Sequence, residues 1–344
     1  MKQIVITFKP RQVTRAILSP LSERAQEVIK MRYGLGSEPR KMTLEAIGER
    51  YDITRERVRQ IESFSLASIR KSKNFEEITP VFDELKEIMN DYGSIVHEKD
   101  FLKHVSPEPA LQNHIHFLLV VGDYFERLRE DEEFHHRWIV DKELGEQVHT
   151  SLRKLYKGLS PEGLVSESDI IVKFLDHLRE EIKGMRDKEM AGRWLRISKT
   201  IGKNSLGEWG VASSPNVRAR GIRDLAYLVL RQHGSPMHFT EVARAIEAKF
   251  GRKAHVATCH NELIKDKRFV LVGRGLYALS EWGYERGIVK DVIKTILTKE
   301  GPLKKEDVVD RVLKERHVKE NTILVNLQNS KHFKRDGSGR YMPV

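Results

Sequence analysis

The sequence predicts a mainly α-helical chain of several small modules, each with a short β-hairpin, and three observations carry that expectation. A length of 344 residues with 39% hydrophobic side chains allows two or more packed cores and excludes wholesale disorder. Two short helices follow one another with almost no connection inside the first 74 residues. Behind them a weak repeat of about 70 residues ends each time in an aromatic, strand-like element. Composition narrows the chemistry further. The lone Cys259 excludes an intramolecular disulfide framework, a Cys-based zinc ribbon and an iron–sulfur cluster, and fits a reducing cytoplasm. The start, MKQIVITFKPRQVTR, has a five-residue apolar run before charges return, and nowhere is there an uncharged apolar stretch of about 18 residues. Neither secretion nor membrane spanning is expected.

Charge is unevenly spread. The formal net charge of +11 resolves into +8 for residues 1–74, −11 for 75–150, +5 for 151–220 and +9 for 221–344. A concentrated basic excess is the footprint of a phosphate-binding surface, whereas +9 spread over the last 124 residues is ordinary for a soluble domain. The acidic segment 75–150 is expected to be repelled by a phosphate backbone and to face protein.

In the first module, Val28 and Ile29 belong to an amphipathic helix that stops at Gly34, a residue able to take the left-handed conformation. Thr43 is placed to cap a helix whose Leu44, Ile47 and Tyr51 share one face, and Thr54 to cap the next after Asp52 and Ile53. Two helices joined so tightly form a helix-turn-helix. At about 100° per residue, Val58, Ile61 and Ser65 point inward, while Arg55, Glu56, Arg59, Gln60 and Ser63 point outward. A solvated charged face is the ordinary alternative. Arg, however, donates in a fork to guanine, Glu accepts from cytosine N4, and Gln pairs with adenine, so this face has the chemistry to read bases.

The stretch from Thr43 to Arg70, TLEAIGERYDITRERVRQIESFSLASIR, closely resembles region 4 of primary bacterial sigma factors, and the resemblance covers about residues 15–74. It implies reading of a promoter −35 element in double-stranded DNA and docking on the β-flap of RNA polymerase core. By position it makes Arg55, Glu56, Arg59 and Gln60 base-reading or base-adjacent residues, Arg57 a phosphate contact, and Thr54 part of the same DNA-binding end. Nothing upstream resembles the aromatic-rich sigma segment that melts the −10 element, since about 20 residues precede Leu21 and Phe8 is the one aromatic among them. The chain is therefore not expected to act as a complete sigma factor.

The repeat is marked by Gly93, Gly163, Gly234 and Gly301, each followed six or seven residues later by an acidic residue, namely Asp100, Asp169, Glu241 and Asp307. About 40 to 46 residues beyond each glycine stand Trp138, Trp209, Tyr277 and Tyr341. In the third copy, a helix from Ile222 to Gln232 leads through Gly234-Ser235-Pro236 to a second helix, Thr240 to Phe250, capped by Thr240. A third helix includes Cys259 to Ile264, and FVLVGRGLYAL then reads as two strands around Arg274-Gly275. That order makes a winged helix. Residues 221–287 resemble the HARE helix-turn-helix family, to which the amino-terminal domain of the RNA polymerase delta subunit also belongs. The fourth copy repeats the scheme with a wing-like RDGSGRYM, and the first two copies are more divergent. In the third copy Lys265, Lys267, Arg268 and Arg274 are placed to approach phosphates, and in the fourth Lys331, Lys334, Arg335 and Arg340. DNA contact, protein contact and a solvated surface remain open for both copies.

The expected modules are thus a region 4-like helix-turn-helix over 1–74, winged-helix-like modules over 75–150 and 151–220, a HARE-type winged helix over 221–287 and a carboxy-terminal winged helix over 288–344. No catalytic set, metal site or cofactor is expected. Gly273-Arg274-Gly275 lacks a third glycine and fits a wing hairpin better than a dinucleotide loop. His114, His116, His135 and His136 lack metal-ligand spacing and read as surface histidines, Asp131 to Glu133 as a solvated acidic run, and Cys259 as a small core residue. Trp138, Trp194, Trp209 and Trp282 read as anchors of the module cores. The reading is a cytoplasmic, bacterial, nucleoid-associated transcription regulator that binds DNA and RNA polymerase. Its rival is a polymerase accessory or competitor, delta-like or anti-sigma-like, that occupies the β-flap without reading sequence.

Overall fold

Among the described residues, the four glycine-marked repeats follow one chain path: a helix, a turn, a first strand or single bridge, two helices, and a hairpin whose last strand pairs back onto the first. The computed structural model describes residues 6–178, 188–284 and 287–344, so the apolar run at the amino terminus begins outside the described residues. In the first repeat α6 (Thr79–Tyr92) leads through Gly93 to β1 (Ile95–His97), α7 (Glu98–Val105), α8 (Pro109–Val121), β2 (Glu126–Leu128) and β3 (Arg137–Ile139), with strand order β1-β3-β2. In the second, α9 (Lys142–Gly158) is followed by α10 (Glu167–Leu175), α11 (Lys188–Leu195), β4 (Ile201–Lys203) and β5 (Trp209–Val211). The third comprises α12 (Ile222–His233), β6 (Met237–His238), α13 (Phe239–Phe250), α14 (Val256–Lys265), β7 (Phe269–Gly273) and β8 (Leu276–Leu279), again in the order first, third, second. The fourth comprises α15 (Val289–Glu300), α16 (Lys305–Glu315), α17 (Glu320–Leu327), β9 (Phe333–Arg335) and β10 (Tyr341–Pro343). These are tandem winged helices behind a helix-turn-helix.

The aromatic residue that closes each repeat has the same partner position in all four. Trp138 lies opposite Val96, Trp209 opposite Val165, Tyr277 opposite Met237 and Tyr341 opposite Leu303, and all four aromatics are buried. Each therefore sits on the last strand against the apolar residue that enters two or three positions after the glycine. A large ring there joins hairpin to first strand, and such cross-strand pairs are the unit from which a small sheet gains its stability.

The chain divides into two compact units, residues 1–203 with 207–212, and residues 204–206 with 213–344. In the first unit, α1 (Pro10–Leu18), α2 (Glu23–Tyr33), α3 (Leu44–Tyr51), α4 (Arg55–Arg70) and α5 (Lys73–Glu77) precede the first winged helix. One apolar core runs through both: Ile17, Leu18, Ile29, Tyr33 and Ile69 pack with Phe82, Leu85, Phe117 and Trp138. The boundary at 74 read from charge and composition falls inside this core. Helix α8 is buried at Asn113 through Leu119 and at Val121, which is why its sequence is apolar on every side. Strands β1 and β3 are buried on both faces, with Val96 and Trp138 turned into this core and Ile95 and Ile139 into that of the second repeat.

In the second unit the third repeat departs from expectation at one cap. The sequence places Thr240 at the start of α13, but the helix begins at Phe239 and the His238 ring accepts from the Thr240 N–H at 3.4 Å, while Glu241 returns a bond to the His238 N–H at 3.2 Å. The strand β6 ends at His238, so the cap falls two residues before the threonine and the helix starts one residue before it. The two repeats of this unit are tied together where the His317 N–H donates to the Val272 carbonyl at 2.7 Å. No helix among the described residues is long and apolar enough to cross a membrane.

Candidate nucleic-acid interface

The helix-turn-helix is set by four local devices. The Thr43 hydroxyl accepts from the Ala46 N–H at 3.1 Å and caps α3, and the Thr54 hydroxyl accepts from the Arg57 N–H at 3.1 Å and caps α4. Between them Asp52 takes the left-handed conformation at φ 50°, and Gly48 lets the returning chain pass so close that a Cβ there would lie 2.6 Å from the Ile53 carbonyl oxygen. The two helices are then held on a small core of Val28, Ile47 and Val58, all fully buried.

That core fixes which way α4 faces. Arg55, Glu56, Arg57, Arg59, Gln60 and Ser63 are exposed, while Val58 and Ser65 are buried, in agreement with the periodicity. The outward side chains pair among themselves. Arg59 holds Glu56 through two bonds of 2.9 and 2.7 Å, and Arg57 Nη1 donates to Gln60 Oε1 at 3.2 Å. The Arg59 guanidinium holds the Glu56 carboxyl below the usual carboxylate range, so Glu56 is an anionic acceptor at neutral pH. Both members of the pair are more than half exposed, and a solvent-screened pair of this kind is weak, so exchanging it for base edges costs little.

A cleft of about 810 Å³ opens between α4 and the β2–β3 wing of the first winged helix. Arg55 and Arg59 line it on one side, and Arg127, Arg129 and Trp138 on the other. The two wing arginines were invisible to charge counting, because they sit inside a segment whose net charge is −11. The acidic segment thus turns two arginines toward α4. The reading of all four histidines as surface residues also fails: His114 and His116 are buried, because α8 is the central helix of the unit. His135 and His136 are partly exposed, and no group of three or more metal-ligating side chains occurs among the described residues. Burial, reinforced by Lys41, pushes the His116 ring down to about 3, so it is neutral at physiological pH.

The carboxy-terminal candidates are placed separately from this face in the chain. Lys265 ends α14, Lys267 follows it, and Arg274 stands on the turn of the β7–β8 wing; all three are exposed. Arg268 is not available for phosphates. Its guanidinium is spent on Asp266 at 2.7 Å, Asp224 at 3.0 Å and Asn216 at 2.9 Å, where it holds the start of α12 to the loop before β7. In the fourth repeat Arg340 is paired with Asp336 at 2.9 Å across the wing turn, while Lys331 and Lys334 are exposed. Cys259 is buried and burial alone raises its thiol to about 11, which suits a core residue.

Residues 17–71, which contain both capped helices and the outward face, match the family model of Sigma-70, region 4. This part of the chain is similar to sigma region 4. Over 60 residues it is 45% identical to the RNA polymerase sigma factor SigA1 of Synechococcus elongatus, which is 17% of this chain and 15% of that protein. Over 55 residues it is 47% identical to the RNA polymerase sigma factor RpoD of two Helicobacter pylori strains, covering 16% of this chain and 8% of each relative. The chain spans less than a sixth of the length of each of these relatives. Residues 221–282 match a second model, HARE-HTH, a helix-turn-helix domain named in part for ASXL and restriction endonucleases, over the third winged helix.

Proposed function

We propose that this protein is a sigma-related transcription regulator that reads a −35-like element in duplex DNA through α4 and contacts RNA polymerase core. The observation that carries the reading is the exposed Arg55, Glu56, Arg59 and Gln60 face on a doubly capped helix-turn-helix within the region 4 domain. Entering the major groove, Arg55 and Arg59 would donate to guanine, Glu56 accept from cytosine and Gln60 pair with adenine, while Arg57 and the amino-terminal end of α4 at Thr54 face phosphate. Lys265, Lys267 and Arg274 of the third winged helix are exposed and are candidates for further phosphate contacts.

The full-length protein, titrated against −35-like and scrambled duplexes at one salt concentration, tests this directly. A preference of tenfold or more for the −35-like duplex is expected, and equal affinity would remove the base-reading claim.

A second reading, a polymerase-binding competitor that does not read sequence, is favoured by Phe64. Its ring is 75% exposed on α4 and lines a groove of about 780 Å³ with Leu21 and Ile61, an arrangement suited to an apolar protein contact such as the β-flap. Retention of core polymerase that is lost in Phe64→Ser, with equal affinity for the two duplexes, would establish this reading instead.

A further inference from the structure

The cleft beside α4 has charges and buried polar atoms that the DNA-reading face does not use. Six cations line it, and three of them are compensated: Arg32 lies 3.4 Å from Glu62, Arg59 holds Glu56, and Arg127 binds Glu98 through two bonds of 2.7 and 3.0 Å. Lys41, Arg55 and Arg129 make no ion pair among the described residues. His116 is 5% exposed, lines the cleft, and neither ring nitrogen makes a hydrogen bond; its nearest carboxylate, Glu98, stands 3.7 Å away. A buried polar group without a partner is costly and points to a missing one. Desolvation by the walls depresses the Lys41 ammonium, Glu98 partly restores it, and Arg127 and Arg32 add to the depression. An anion of several charges entering the cleft would relieve each of these costs.

We propose that this cleft binds a nucleotide-sized phosphate ester, its phosphate chain held by Lys41, Arg55 and Arg129 with His116 donating from the floor. The volume of about 810 Å³ lies in the range of small-molecule sites and exceeds what a lone phosphate needs. A duplex is too wide to reach a ring as deeply buried as His116, so a free ester fits the cleft better than the DNA backbone, which offers the same phosphate chemistry. Binding here does not depend on DNA reading. One consequence does rest on that reading: a ligand that engages Arg55 withdraws it from the major groove, so occupancy should weaken DNA binding.

The test titrates the full-length protein, free of DNA, with ATP and separately with tripolyphosphate, following heat of binding and thermal midpoint. Saturable one-to-one binding and a raised midpoint are expected for both. Lys41→Gln and Arg129→Gln should each weaken binding about tenfold or more, while Lys157→Gln, on the exposed side of α9 and outside the cleft, should leave it unchanged. Absence of saturable binding would overturn the proposal, as would an equal loss in Lys157→Gln, which would mean diffuse attraction of polyanions. If Lys41→Gln and Arg129→Gln weaken duplex binding while neither small anion binds, the cleft belongs to the DNA backbone and the proposal also falls. A loss of sequence preference in DNA binding with the ATP result intact would instead strike the functional reading alone.

Discussion

Arg57 and Glu56 are neighbours on one helix, yet opposite consequences are expected from removing them. Arg57 carries charge without base chemistry in the proposed complex, so Arg57→Ala should weaken all duplexes about equally and lower the salt dependence by about one counterion, measured as affinity against salt concentration. The outward set was legible in the sequence because helical periodicity leaves little choice once Val58 is inside. Arg127, Arg129 and His116 were not, since nothing local marks which face of an acidic segment will meet another module. Two buried rings give a pH test. Burial, with Arg137 beside it, holds His149 down to about 4, where it accepts from the Arg137 Nε–H at 2.7 Å, and His116 is held at about 3. Both pKa values lie below the ordinary 6.5, so the unfolded chain takes up these protons first. The stability they contribute is complete above about pH 6.5 and is lost as pH falls toward 4 and 3. Urea midpoints should therefore decline from pH 7 to pH 4.5, and His149→Gln, which keeps an acceptor for Arg137, should flatten that decline. A midpoint independent of pH in the parent protein would contradict the assignment.

Among the elements, the turn between α3 and α4 is the most constrained. Alanine at position 48 gains helix propensity of up to about 1 kcal/mol, but its Cβ would stand 2.6 Å from the Ile53 carbonyl oxygen, a backbone atom that cannot swing away. The clash should win, so Gly48→Ala is expected to lower stability and to weaken DNA binding by displacing α4. Thr54→Ala removes the α4 cap and should cost about 1 kcal/mol in chemical denaturation, with the fold retained. The hairpins were legible too: spacing located the last-strand aromatics, although not that each would face the residue two or three places after its glycine. The cap of α13 escaped the sequence because histidine is not a usual capping residue. There the end of β6 decides, and the ring stands where a threonine hydroxyl was expected.

For the whole molecule, the continuity of the first core sets how the chain can be divided. Tyr33 of α2 packs on Phe117 of α8 with ring centres 5.0 Å apart, and Asn113 donates to the carbonyls of Gly34 at 3.1 Å and Pro39 at 2.9 Å. Residues 1–74 expressed alone would expose the apolar faces of α1, α2 and α4, and no cooperative thermal transition is expected from them. Residues 1–212 and 213–344 should each give one. A sharp transition in 1–74 would show that this segment stabilises itself. Charge drew a boundary at 74 because composition changes there, while the apolar residues on either side carry no mark of belonging to one core. Selection of bound duplexes from a randomised pool by the full-length protein measures whether α4 reads bases in the context of this core. Enrichment of a −35-like motif by the parent is expected, with information lost at one base pair in Glu56→Ala. A pool that enriches no motif, or a motif that Glu56→Ala, Arg55→Ala and Gln60→Ala all leave unchanged, would contradict base reading by α4.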